Sequence, residues 1–165
     1  MRKEIFMAIV KQLKEQVKEI QYIDLWNEQL AEIKGENAWP TPSVFVEFEQ
    51  YEVRQMANHV RTADVSVRLH IITRAVPYNS NDTERMAAAL SYFDTIDRVN
   101  AAMSTLSGNC FTTFMLTATA TNHNHAQLIE SIERHTCRAV DSSASRKAQT
   151  HEVKQLTVQQ IIDNV

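Results

Sequence analysis

Glycine is scarce in this 165-residue chain. Gly35 and Gly108 are the only two, 73 residues apart, where average usage would place about eleven. Phosphate-cradling loops and dinucleotide fingerprints need several glycines within a few positions. The Gly-rich nucleotide-binding classes are therefore excluded. Cysteine is as sparse, with only Cys110 and Cys137. The length supplies an ordinary core, so no disulfide or metal staple is required. No run of about 18 apolar residues occurs, so no segment is expected to span a membrane as a helix. Met1-Arg2-Lys3-Glu4 opens a charged amphipathic stretch rather than a secretory leader, and the expected location is the cytosol of the host cell. Neither charge sign dominates: 17 Lys+Arg stand against 20 Asp+Glu, for a net charge of −3. With 44% hydrophobic residues, that balance excludes a disordered chain. There is no internal repeat.

What is present reads as alternating elements. Ile5, Ala8, Ile9, Leu13, Val17 and Ile20 recur at three- and four-residue spacing and predict an amphipathic helix, with Glu15 and Lys18 as an i,i+3 pair on its polar face. Residues 21–52 carry seven carboxylates and one lysine, a net of −6. Within them, Tyr22, Leu25, Trp26 and Leu30 suggest a short strand or helical turn, and residues 34–37 a turn. Trp39-Pro40-Thr41-Pro42 enforces an extended entry into the strand Val44–Glu49. There Val44, Val46 and Phe48 share one face. Phe45, Glu47 and Glu49 share the other, which is expected to be wet or in an interface.

Residues 53–74 reverse the sign, with Arg54, Arg61, Arg68 and Arg74 against Asp64 for a net of +3. The run Asp64–Ile71 alternates cleanly. Val65, Val67, Leu69 and Ile71 point one way; Ser66, Arg68 and His70 point the other. This is a half-buried strand antiparallel to 44–49. Residues 77–82 form a loop. A long amphipathic helix then runs from 83 to about Leu106, ended at Ser107-Gly108-Asn109, where Gly108 suits a left-handed C-terminal position. Phe111–Ala120 and Leu128–Val140 read as strands around a tip at Asn122-His-Asn-His125. The expected fold class is α+β, two helices packed on one face of a mostly antiparallel sheet. Residues 1–141 form the domain. Residues 142–165 form a C-terminal arm carrying Val153, Leu156, Val158, Ile161 and Ile162, which docks on the body or on a neighbouring subunit.

Chemical constellations are thin. His123 and His125 share a face and are the best metal candidates, yet zinc wants three or four ligands and only His135, Cys137 or Asp141 stand in reserve. A polar hairpin tip is the better reading. A hairpin centred between His123 and Asn124 would put Cys110 opposite Cys137 as a reduced, buried pair. His135 shares a strand face with Cys137, but a catalytic thiol needs an exposed, electropositive setting. Asp94 and Asp97 lie one helical turn apart and flank the apolar stripe. The expectation is a non-enzyme without metal or cofactor. Its interface residues would be Phe45, Glu47, Glu49, Arg54, Arg61, Arg68 and His70, with Leu156, Ile161 and Ile162 of the arm.

Several of these parts together resemble the tail terminator (tail completion, head–tail joining) proteins of long-tailed bacteriophages and prophages. The matching order is an N-terminal amphipathic helix, the Pro40-Thr-Pro-Ser-Val-Phe-Val-Glu-Phe48 strand, the alternating Asp64–Ile71 strand, the 83–106 helix and Thr-rich strands joined at Asn122–His125. It covers residues 1–141. The resemblance implies a virion protein assembled in the bacterial cytoplasm. It implies a ring, usually a hexamer, that caps the tail tube, stops its growth and presents a joining surface to the neck or capsid. The implied partners are copies of itself, the tail-tube protein, a neck or head-completion protein and, if the tail is contractile, the sheath. DNA would pass through the lumen without sequence-specific binding. A small ligand-binding domain or enzyme using the His123/His125 region, or another neck or tube component, is the alternative. A closed ring needs two unlike sides, and the −6 and +3 segments are expected to supply them.

Overall fold

The computed structural model describes residues 1–27, 39–76, 83–122 and 127–145. The expected turns at 34–37 and 77–82, the His123/His125 tip and arm residues Leu156, Ile161 and Ile162 lie outside them.

The chain forms helix α1 (Arg2–Gln16), strands β1 (Tyr22–Leu25), β2 (Ser43–Phe48), β3 (Val53–Gln55) and β4 (Arg61–Arg74), helix α2 (Thr83–Ser104), and strands β5 (Met115–Asn122) and β6 (Leu128–Asp141). The six strands make one sheet in the order β1-β2-β4-β6-β5, with β3 also paired to β4. Every pairing is antiparallel except β1 with β2. Both helices pack on one face, so the α+β architecture read from the periodicities is the observed one.

β4 is the spine. Its alternation puts Ala63, Val65, Val67, Leu69 and Ile71 on the helix side, where all are buried with Ile5, Ile9, Leu13 and Val17 of the first segment and Ile96, Val99, Ala102 and Met103 of α2. Such a period-2 face against two 3.6-period stripes is what buries both at once. α1 stops at Gln16, short of the expected reach. Lys18 therefore leaves the polar face and caps the helix, its Nζ donating to the Lys14 carbonyl at 3.1 Å. A cation at a helix C-terminus also complements the dipole. Gln12 Nε2 ties α1 to α2 by donating to the Ala102 carbonyl at 3.0 Å.

β2, β3 and β4 form one long hairpin. Ser43–Phe48 pairs with Val67–Ile72, and Val53–Gln55 with Arg61–Ala63, so residues 50–63 extend the hairpin outward. Its tip is a tight turn over Ala57–His59 in which Asn58 and His59 take left-handed φ values of 56° and 60°.

Two expectations fail for local reasons. Gly108 is required by space: a Cβ there would collide with Cε1 of the Phe111 ring. That ring folds back over it, with the Gly108 N–H bonded to the Phe111 carbonyl. Cys110 does not face Cys137. Asn122 pairs with Glu130, centring the hairpin near residue 126, and a bulge between Leu116 and Ala118 shifts the register again. Phe111 then faces Ala139, and the Val140 N–H donates to the Cys110 carbonyl at 2.8 Å. Both cysteines are free.

Candidate functional site

The face of the sheet away from the helices holds most of the residues singled out from the sequence. At its β1 end it is apolar. Phe45 is 1% exposed and packs with buried Ile72 and with Trp26, Trp39 and Leu128. It is therefore not the exposed interface residue expected. The tryptophans on either side of residues 28–38 enclose it, with the Trp39 ring edge-on at 5.2 Å.

Beside this cluster the face becomes a lattice of ions. His70 is 4% exposed. Its ring stacks on Trp26, centroids 3.8 Å apart and planes within 3°. Its Nδ1 lies 2.7 Å from Glu130 Oε1 and its Nε2 3.1 Å from Glu47 Oε2. The Asn122 amide donates to the second Glu130 oxygen at 2.9 Å. One strand step away, Glu49 accepts from both Arg68 Nε and Arg134 Nε. Arg134 also donates to Ser66 Oγ at 3.2 Å. At the far end Arg138 pairs with Asp64 at 3.3 Å on this face, while Arg61 pairs with Asp141 at 3.0 Å on the helix side.

This pattern corrects one expectation. Among the described residues, the strands of the acidic and basic segments, β2 and β4, do not sit on opposite sides of the subunit but pair side by side. Strand pairing sets Glu47 opposite Arg68 and Phe45 opposite His70, so the carboxylates of β2 are neutralised by β4 and β6 of the same chain. Of the remaining predicted residues, Arg54 is exposed on β3. It lines a groove of about 630 Å³ with Gln50, Tyr51, Ser66, Arg134 and Arg138. Sequence reasoning missed Trp26, Glu130 and Arg134. The available signal was the even spacing of Glu130, Ile132 and Arg134 on one face of β6.

The helix side holds polar groups as well. Glu133 is 1% exposed and accepts hydrogen bonds from Asn100 Nδ2 at 3.0 Å and Thr119 Oγ1 at 2.7 Å. His135, fully buried, has its pKa pulled from the usual 6.5 down to about 4 by burial. Its Nε2 has no hydrogen-bond partner among the described residues. Cys137 has its thiol pushed up to about 12, again by burial. A neutral imidazole beside a thiol that stays protonated at neutral pH is not an activated nucleophile. Among the described residues no group of three or more His, Cys, Asp or Glu is placed to hold a metal ion. None of their helices is long and apolar enough to cross a membrane.

Two groups of exposed apolar side chains stand out. Val53 (53%) and Met56 (55%) lie on the hairpin arm. Met86, Leu90, Phe93, Met115 and Leu116 lie on α2 and β5.

No protein-family model and no curated protein matches the chain. Among solved structures, one chain of a structure described as "Virion of native gene transfer agent (GTA) particle" aligns over 82% of this chain and 93% of its own length, with a TM-score of 0.41 and 13% identity.

Proposed function

We propose that this chain is a structural virion subunit of the tail terminator type. It self-associates into a ring, usually of six, that caps the tail tube of a long-tailed phage or prophage, halts tube polymerisation and forms the joining surface for the neck. Its partners are copies of itself, the tube protein and a neck or head-completion protein, with the sheath added in a contractile tail. It performs no chemistry and carries no cofactor. The order of elements over residues 1–141 supports this reading. The observation that carries it is the hairpin arm, whose tip runs beyond the last β4–β6 pair and whose Val53 and Met56 are more than half exposed. An arm of this kind engages a different surface on the next copy, and such unlike contacts close into rings. The internally neutralised ion lattice leaves the remaining polar face without the strong positive field that would grip DNA in the lumen.

Light scattering after size exclusion, with negative stain of the same fractions, tests the proposal. A closed ring is expected at tens of micromolar, together with arrest of tube growth when the ring is added to polymerising tube protein. A single-copy species at high micromolar concentration, even in the presence of tube protein, overturns it. Val53→Asp with Met56→Asp is expected to abolish the ring while leaving the fold intact by circular dichroism.

A further inference from the structure

β5 is an edge of the sheet that no described strand pairs on its outer side. Proteins protect edge strands with charge, proline, shortness or a bulge that turns the strand away. Phe111–Asn122 contains no charged residue, no proline and no glycine, and Met115–Thr121 is exposed throughout. The bulge at Leu116/Ala118 disturbs only the start of the strand. Beside this edge lies an uncovered flank of α2. Asn100 fixes which side of α2 faces β5, because its amide reaches the same Glu133 carboxylate as Thr119 of β5. Phe93 and Met86 lie one and two heptads before Asn100 and share that side of the helix. With Leu90 they are 42–49% exposed. A free ladder edge meeting an apolar helix flank makes a seat for one amphipathic strand.

The sequence offers an occupant with the right alternation. Val153-Lys-Gln-Leu-Thr-Val-Gln-Gln-Ile-Ile162 alternates so that Leu156, Val158 and Ile162 share one face. We propose that residues 153–162 add to the free edge of β5 in their own chain, with Leu156, Val158 and Ile162 turned toward Met86, Leu90 and Phe93. Position favours the same chain over a neighbour. β6 ends at the end of the sheet from which β5 starts, since the Val140 N–H bonds the Cys110 carbonyl. Seven residues separate Ser145 from Val153. The seat is two strand spacings from β6, about 10 Å, and seven residues have a root-mean-square span of about 15 Å. A link of matched length gives an effective concentration in the millimolar range, above any working concentration of a second copy. The inference does not depend on the terminator reading, because it leaves the hairpin arm and the outer face open.

Hydrogen exchange on the full-length chain tests it, comparing wild type with the full-length double variant Leu156→Asp, Val158→Asp at low micromolar concentration. The outward-pointing amides of Ala118–Thr121 are expected to exchange at least tenfold faster in the variant, while the amides of Val65–Ile71 keep their protection and show that the fold is intact. Equal exchange in both chains means a bare edge and overturns the proposal. Mixing isotope-labelled variant with excess unlabelled wild type settles the source. No recovery of protection in the labelled β5 is expected, and recovery would place the strand in a neighbouring copy and overturn the same-chain assignment.

Discussion

The two faces of the sheet are built from the same strands and solve different problems. Leu69 and Arg68 are neighbours on β4. Leu69 is fully buried against the helices, while the Arg68 side chain is 45% exposed and pairs with Glu47 and Glu49. The helix face gains stability by removing apolar area from water, in proportion to that area. The outer face gains little from its ions individually, because partly exposed pairs contribute about 1 kcal/mol or less. It gains geometry: Glu49 is held from both β4 and β6, and Glu130 from both β4 and β5, so these contacts fix where the strands sit. One face holds the fold together, and the other keeps a polar surface in a defined shape.

The sharpest way to break this contrast is to truncate the neighbours in turn. Leu69→Ala is expected to cost about 3 kcal/mol in urea unfolding, from lost transfer energy and the cavity left in a core that closes only partly. Arg68→Ala is expected to cost no more than about 1 kcal/mol. Equal losses would mean that the outer lattice shares the work of the core.

A pH titration sharpens the comparison from the helix side. His135 titrates near 4 when folded and near 6.5 when unfolded. Between those values the unfolded chain binds the extra proton, so stability rises with pH across that window and is lost as pH falls through it. The gap of about 2.5 units corresponds to roughly 3 kcal/mol when fully expressed. His135→Gln is expected to flatten the slope of unfolding free energy between pH 6.5 and 4. An unchanged slope would overturn the assignment of this acid sensitivity to His135.

The helix face was the more legible of the two in the sequence, for a physical reason. Its residues obey strict periods: 3.6 in α1 and α2, and 2 in β4. Those periods survive without knowledge of the partner. The outer face defeats pattern reading because charged and polar residues are assigned to water by default, whereas Ser66, His70 and Glu130 are buried by mutual pairing. Phe45 was misplaced for the same reason: alternation with Glu47 and Glu49 put it on a wet face, and the residues that cover it, Trp26, Trp39, Ile72 and Leu128, carry no pattern that ties them to it. The parallel pairing of β1 with β2 was illegible because four residues carry too short a pattern to declare direction. The Cys110 register failed because hairpin centre and bulge are backbone events with no side-chain signature here.

The smallest expected effect tests whether the outer lattice acts as a unit. Glu49 is the node that joins β2 to β4 and β6, with its side chain 12% exposed against 45% and 40% for Arg68 and Arg134. Glu49→Gln keeps the shape and removes the charge, so both guanidinium groups lose their anion while Glu47 remains near Arg68 at 3.5 Å. The loss is expected to be about 1 kcal/mol at low salt, since two half-exposed partners are screened and free to rehydrate. In 1 M salt, where the Debye length falls to about 3 Å, the difference between wild type and variant should shrink by about half or more. A loss that ignores salt would identify Glu49 as a packing residue whose charge is incidental. The outer face would then be stabilised by the same burial as the helix face, and the contrast between the two would reduce to composition.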